Sequence, residues 1–287
     1  LSFDTQNFGE GGTTRPHAEM LKAVWERAGV TAEIIDTPQP ENVHLIARIP
    51  GTGRAEPLLF LGHSDVVPVE EENWSHDPFA GEVVDGEVFG ANAASISALL
   101  RHLKEGARFD RDIIILTDCD EEAGSYGSAW LAENHWDKIE AGSVLTEGGW
   151  FLAQSDATTP MLITATRQDN VYFNLDITAQ GTATHSSKPM PDAALVTLSR
   201  ALADLGDFQA PVHLTDVTRE YFAALARATD DRRFAQAIRL LLAARNRKHR
   251  ERAARLVISR SDYPHLHSAL LRTTHAFVIS EAGYKEN

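Results

Sequence analysis

The first half of the chain alternates short apolar runs with amphipathic segments. Apolar positions at helical spacing predict helices, and short continuous apolar runs predict strands that are covered on both faces. Helices are expected at Pro16–Ala28, Ala93–Leu103 and Gly124–Glu133, and strands at Val43–Ile49, Pro57–Gly62, Asp112–Thr117, Ser143–Thr146 and Met161–Thr166. Strands that alternate with helices predict an α/β fold, with a mixed, mainly parallel sheet sandwiched by helices.

The pattern changes near Asp169. Val171–Ala179 alternates apolar and polar residues, which is typical of a strand with one face in water. A helix is predicted at Pro191–Leu205, a long helical stretch at about Asp231–Ile258, and a further strand at Phe277–Ser280. We therefore expect two domains, residues 1–168 and residues 169–287, the second of them α+β.

Composition narrows the possible partners. The chain has 287 residues and a formal net charge of −14, which disfavours nucleic acid and anionic membranes as partners. Its apolar runs are too short to span a bilayer, and no charged-then-apolar leader opens the chain, although it begins with Leu1 and its true start is expected to be missing. The single cysteine, Cys119, forms no internal disulfide, so a reducing compartment such as the cytoplasm is allowed.

Candidate chemistry lies at the ends of three predicted strands, where ligands collect in open α/β sheets. His63 ends the first strand and is followed by Asp65. A neutral imidazole can bind zinc through one nitrogen while a nearby carboxylate holds the other nitrogen. His-x-Asp alone is weak evidence, because an isolated histidine is more often a polar residue whose hydrogen bonds are satisfied.

Acidic residues follow the other two strands. Asp120, Glu121 and Glu122 come after the second, and Glu147 stands before two glycines after the third. A bound dication would relieve the repulsion between adjacent carboxylates and leave one of them free as a general base. Taken alone, the segment after the second strand is better interpreted as a solvated acidic turn, and the segment after the third strand is weak evidence.

Together and in this order, the three segments resemble the zinc-dependent metallopeptidase and amidohydrolase family of aminoacylase, glutamate carboxypeptidase, acetylornithine deacetylase and succinyl-diaminopimelate desuccinylase. Gly181–Ser187 resembles the start of that family's lid domain. The resemblance covers nearly the whole chain, with little contribution from Phe208–Arg260. It implies a phosphorylase/hydrolase-like catalytic domain and a lid or dimerisation domain, here incomplete.

The resemblance also implies a metal-ligand set. His63 and Glu147 would bind one zinc ion and Glu122 the other. The family's bridging aspartate is replaced by Ser95, and a neutral hydroxyl cannot bridge two dications as a carboxylate does. The family's chain also continues past Asn287 to a final histidine ligand. We therefore expect one weak zinc site or none here, instead of the family's two.

The remaining roles follow from the same resemblance. Glu121 would be the general base that activates water, Asp65 would orient His63, and His185 would reach across a homodimer to steady the oxyanion. The implied activity is hydrolysis of an amide or peptide bond in a small peptide or N-acyl amino acid. We expect it to be strongly reduced or absent here because of Ser95 and the missing histidine.

Other functions remain open or lack support. A non-catalytic relative that keeps the fold for binding or assembly is the main alternative, and the loss of the bridging aspartate favours it. Retention of the costly acidic cluster favours the enzyme. A serine hydrolase is unsupported because no Gly-x-Ser-x-Gly elbow follows a strand, and no Gly-x-Gly-x-x-Gly motif supports a Rossmann dehydrogenase.

Overall fold

The computed structural model describes residues 3–9, 12–84, 87–88, 94–124, 126–167, 171, 173–185 and 187–282. Contacts between residues divide the chain into two compact units, Leu1–Glu147 and Gly148–Asn287. The functional division at residues 168 and 169 is not tested by this and stays a prediction.

The first unit contains a five-stranded sheet with helices on both sides. Its elements are α1 (Arg15–Arg27), β1 (Thr31–Asp36), β2 (Val43–Ile49), β3 (Leu58–His63), β4 (Val83–Val84), β5 (Glu87–Val88), α2 (Ala94–Lys104), β6 (Ile113–Asp118), α3 (Ser128–Ile139) and β7 (Ser143–Leu145). A short 3-10 turn spans Glu71–Asn73, and β4 and β5 form a separate two-stranded ribbon.

The strand order of the main sheet is β1-β2-β6-β3-β7. Strand β3 runs parallel to both β6 and β7, whereas β2 is antiparallel to β1 and β6. Four of the five strands therefore point the same way, which confirms the predicted mixed, mainly parallel sheet. This topology places the carboxyl ends of β6, β3 and β7 side by side at one edge.

Strand β6 is the centre of the core. All of its residues are buried, and its side chains alternate between the two faces of the sheet. Ile113 and Ile115 pack with α1 and α2, whereas Ile114 and Leu116 pack with α3 through Leu131. The continuous apolar run in the sequence follows from this double coverage.

In its described residues, the second unit contains one hairpin and five helices. Its elements are β8 (Phe151–Ala153), β9 (Pro160–Ile163), α4 (Ala194–Asp207), α5 (Asp216–Ala228), α6 (Arg232–Ala243), α7 (Arg247–Arg260) and α8 (Pro264–Leu271). Its core is built largely from α5 to α8, with Phe222, Ile238 and Leu241 fully buried. Asp231 begins α6 and Asn246 begins α7, each by accepting a hydrogen bond from a backbone amide of the first turn.

Three predictions for this half are wrong in the described residues. The helical stretch from Asp231 to Ile258 is two helices, because the capping side chain of Asn246 starts a new one. No strand forms at residues 171 and 173–179 or at Phe277–Ser280. A strand needs a hydrogen-bonded partner as well as an alternating pattern. None of the described helices combines the length and apolar character that crossing a bilayer requires.

Candidate metal centre

Four side chains meet at the carboxyl edge of the parallel strands. His63 is the last residue of β3, Glu121 and Glu122 follow β6, and Glu147 follows β7. One ligand atom each from His63, Glu121 and Glu122 lies within 4.8 Å of the other two. The Nε2 atom of His63 lies 3.4 Å from Oε2 of Glu147. The residues selected at three separate strand ends are therefore neighbours.

The orientation of His63 is fixed on its Nδ1 side. Nδ1 lies 2.8 Å from the backbone oxygen of Asp65 and 3.4 Å from its carboxylate. A proton on Nδ1 donates to that carbonyl and leaves Nε2, on the side of Glu147, available as an acceptor or ligand. The hydrogen bond with the Asp65 carboxylate raises the pKa of His63 to about 9. A dication at this centre would compete with that proton.

Asp65 connects His63 to the acidic loop. Its side chain is completely buried, and its two oxygens accept hydrogen bonds from the backbone amides of Glu121, at 3.1 Å, and Glu122, at 3.0 Å. Burial alone would raise the pKa of Asp65, but the hydrogen bonds from His63, Asn7 and these amides lower it below the usual value. The carboxylate therefore stays charged and holds both glutamates in place through their backbone.

The two glutamates themselves are largely exposed to solvent. Partial loss of water around its carboxyl group is the main reason that the pKa of Glu121 is raised. The negative charges of Glu122, Glu147 and Asp65 add to the effect. His63 acts in the opposite direction. A carboxylate whose proton affinity is increased in this way suits a general base.

One residue that the sequence did not single out, Asn7, supports this loop. Asn7 is buried, and its Nδ2 atom donates to Asp65 at 2.9 Å and to Asp120 at 2.5 Å. The other oxygen of Asp120 accepts a hydrogen bond from the backbone amide of Tyr126. Asn7 lies far from the motif in the chain, and no local pattern around it marks it as part of the site.

Two predicted site residues cannot be placed at this centre. Ser95 lies in the first turn of α2, and its side chain is outside the described residues. His185 belongs to the second unit, where its Nδ1 atom lies 2.9 Å from the Ser187 hydroxyl. Its role across a dimer stays a prediction.

The donor set fits zinc in type. Zinc in proteins binds imidazole nitrogen and carboxylate oxygen at about 2.0–2.2 Å, with three protein ligands in catalytic sites. His63, Glu122 and Glu147 supply one nitrogen and two carboxylates at one edge of the sheet. An imidazole oriented through its second nitrogen, as His63 is, is also typical of metal ligands. The assignment of each residue to a particular ion stays a prediction.

Comparison with known proteins assigns this α/β fold to a known family. Residues 59–281 match the model of peptidase family M20/M25/M40. This is more than half of the chain, and the protein therefore belongs to that family.

Two curated relatives are similar to parts of the chain. The chain is 42% identical over 92 residues to succinyl-diaminopimelate desuccinylase of Methylobacterium radiotolerans, covering 29% of this chain and 23% of the relative. It is 29% identical over 182 residues to aminoacylase-1 of Sus scrofa, covering 59% of this chain and 43% of the relative. The chain thus spans less than half the length of either relative.

Among solved structures, the chain is similar to an M20 family metallo-carboxypeptidase from Sulfolobus solfataricus. The sequence identity is 22% and the TM-score 0.45, with 54% of this chain and 36% of that chain covered.

Proposed function

We propose that this protein is built for metal-dependent hydrolysis of an amide or peptide bond, as an exopeptidase or an N-acyl amino acid deacylase. The observation that carries the proposal is the convergence of His63, Glu121, Glu122 and Glu147 at adjacent strand ends. Membership of the M20/M25/M40 family supports the same reaction class. The names of the two curated relatives suggest a small peptide or an N-acyl amino acid as substrate.

Each side chain has a role in this proposal. His63, Glu122 and Glu147 hold zinc, which when bound supplies Lewis acidity for the substrate carbonyl. Glu121 accepts a proton from the attacking water and passes it to the leaving amine, a transfer that its raised pKa favours. Asp65 keeps His63 and the two glutamate backbones in position. His185 steadies the oxyanion across a homodimer.

We also propose that hydrolysis by this chain is strongly reduced. Ser95 stands where the family resemblance expects a bridging aspartate, so one metal position is left with Glu122 as its single assigned ligand. A catalytic zinc generally needs about three protein ligands. A non-catalytic relative that retains the fold for binding or assembly is the second candidate, and the substitution at Ser95 is the observation that favours it. A cytoplasmic location stays a prediction.

The test compares the protein with its Ser95→Asp variant. Zinc content after dialysis and hydrolysis of N-acetyl amino acids and dipeptides are measured for both. Ser97→Asp is the matched control, because it adds the same charge to an exposed position of the same helix. We expect little turnover for the unmodified chain and higher zinc content for Ser95→Asp only.

Three outcomes separate the alternatives. Robust turnover by the unmodified chain contradicts the proposed impairment. If His63→Ala leaves zinc binding unchanged in all variants, the result contradicts the proposed metal centre and the proposed hydrolase. Zinc binding at His63 without turnover in Ser95→Asp favours the non-catalytic relative. Sedimentation velocity tests the homodimer separately.

A further inference from the structure

A second cluster of metal-ligating side chains lies inside the first unit, and the proposed reaction does not use it. It begins with His44, a histidine in the otherwise largely apolar strand β2. Its side chain is completely buried, and its Nδ1 atom has no hydrogen-bond partner among the described residues. A buried polar atom without a hydrogen-bond partner destabilises the fold, so its retention in a core strand calls for an explanation.

Two further ligand types face this histidine. In the antiparallel pairing of β2 with β6, Leu45 is opposite Thr117, so His44 stands beside the end of β6. Nδ1 of His44 lies 3.5 Å from Oδ1 of Asp118, and Nε2 lies 3.6 Å from Sγ of Cys119. One ligand atom from each of the three residues lies within 4.8 Å of the other two, and all three residues are buried.

Asp118 is 3% exposed, and no lysine or arginine of the described residues lies within ion-pairing distance of its carboxylate. Burial is the main cause that lowers the pKa of His44 and raises the pKa of the Cys119 thiol. Buried charges are normally paired or coordinated to metal, and a bound dication would also keep the thiol deprotonated.

We propose that His44, Asp118 and Cys119 form a second, buried site for a thiophilic divalent cation such as zinc. Nitrogen, oxygen and sulfur donors around one point are a zinc-type ligand set, with bonds of about 2.0–2.3 Å. Such bonds place tetrahedral ligand atoms roughly 3.3–3.8 Å apart, so two ligand atoms of this cluster need to approach each other by at most about 1 Å. The backbone oxygen of Tyr126 lies 3.5 Å from Sγ of Cys119 and could serve as a fourth ligand atom.

This site would tie together the parts of the chain that support the exposed centre. Asp118 also accepts a hydrogen bond from the Asp120 backbone amide through its carboxylate, and its backbone oxygen accepts hydrogen bonds from Ser64. The ring of His44 stacks on Trp130 of α3, with ring centroids 5.9 Å apart. A cation here would therefore link β2, the end of β6 and the start of the acidic loop, which is a structural role.

The single cysteine makes the site directly observable. The whole chain is produced in cobalt-supplemented medium, and a second sample is refolded from urea with Co²⁺ so that a closed core is no barrier to loading. A Co²⁺ ion bound by sulfur gives a thiolate-to-metal charge-transfer band in the near ultraviolet. Since only Cys119 can supply that sulfur, we expect the band in at least one of the samples, and its loss in Cys119→Ser.

Controls separate this site from the exposed centre. A His63→Ala, Glu122→Gln double variant should keep the band, whatever happens to hydrolysis, so failure of the proposed function leaves this test intact. His44→Phe should lose the band. If Cys119→Ser does not fold, X-ray absorption of the zinc-loaded unmodified chain should still show a sulfur neighbour at about 2.3 Å. Absence of both the band and the sulfur neighbour in folded, metal-supplied protein overturns the proposal.

Discussion

The replacement Asp65→Asn tests the idea that one buried carboxylate holds the whole acidic loop. The carboxylate accepts hydrogen bonds from the amides of Glu121 and Glu122 and from the side chain of Asn7. An asparagine keeps one oxygen but presents an NH₂ group where the other oxygen stood, so at least one N–H donor loses its acceptor. Hydrogen bonds to a charged group contribute about 1.5–3 kcal/mol each, and an unsatisfied buried donor costs about 1–3 kcal/mol.

The expected result is a loss of about 3 kcal/mol in the free energy of unfolding of the first unit. Hydrogen exchange measured by mass spectrometry on peptides from β6 reports that unit by itself, and exchange there should become about 100-fold faster. Zinc affinity should fall by about 10–100-fold, as is typical when the partner of a metal-binding histidine is changed.

Asp77→Asn is the matched control. Asp77 is exposed and its carboxylate accepts one local hydrogen bond, from the Phe79 amide at 2.8 Å. Its replacement should change stability by less than about 0.5 kcal/mol. If β6 exchange in Asp65→Asn stays within about threefold of the unmodified chain, the carboxylate does not hold the loop and the reasoning is refuted.

Three further results are expected. Asn7→Ala should destabilise the first unit by about 2–3 kcal/mol in the same exchange assay, because two buried carboxylates lose a shared hydrogen-bond donor. An unchanged exchange rate of the β6 peptides would contradict this. Leu131→Ala should cost about 2–5 kcal/mol, because Leu131 is completely buried between α3 and the sheet, and urea unfolding measures it. Burial lowers the pKa of His267 from 6.5 to about 4. The unfolded chain therefore binds a proton at this residue more readily than the folded chain does, so the second unit is most stable above pH 6.5. Its free energy of unfolding should fall by up to about 3 kcal/mol as the pH is lowered toward 4. Replacing His267 by glutamine should flatten that dependence, whereas the same change at the exposed His265 should leave it steep.

The sheet of the first unit was the most predictable part of the fold. Strand β2 has the predicted bounds, and β3 and β6 differ from prediction by one residue, because continuous apolar runs with both faces covered leave little ambiguity. Strand β1 was missed. Its sequence, Thr31–Asp36, is short and half polar, and it becomes a strand by pairing along its whole length with β2.

Prediction failed where structure depends on distant partners. The alternating segment Val171–Ala179 has strand propensity, yet in the described residues it has no ladder, and Val171 and Phe173 are 94% and 81% exposed. The helix break at Asn246 could have been foreseen, since a single Asn that caps a helix is a local signal.

Some residues of the candidate site could be predicted from the sequence and others could not. His63, Glu121, Glu122 and Glu147 could be selected because each follows a strand, and parallel strands end at one edge. Asn7 could not, because its contacts with Asp65 and Asp120 arise only after folding. His44 carried a weak signal, as a histidine near the start of an apolar strand, but only the geometry shows what it faces.

The central position of β6 also determines when the site can exist during synthesis of the chain. Strands β2 and β3, its neighbours in the sheet, leave the ribosome long before β6 does. Strand β7, which is followed by Glu147, leaves the ribosome after β6. Contacts between segments so far apart in sequence form slowly, because a long loop must close first. When His63 has left the ribosome, the glutamates of the candidate metal centre have not yet been synthesised. The proposed ligands His63, Glu122 and Glu147 therefore cannot come together before β7 has been synthesised.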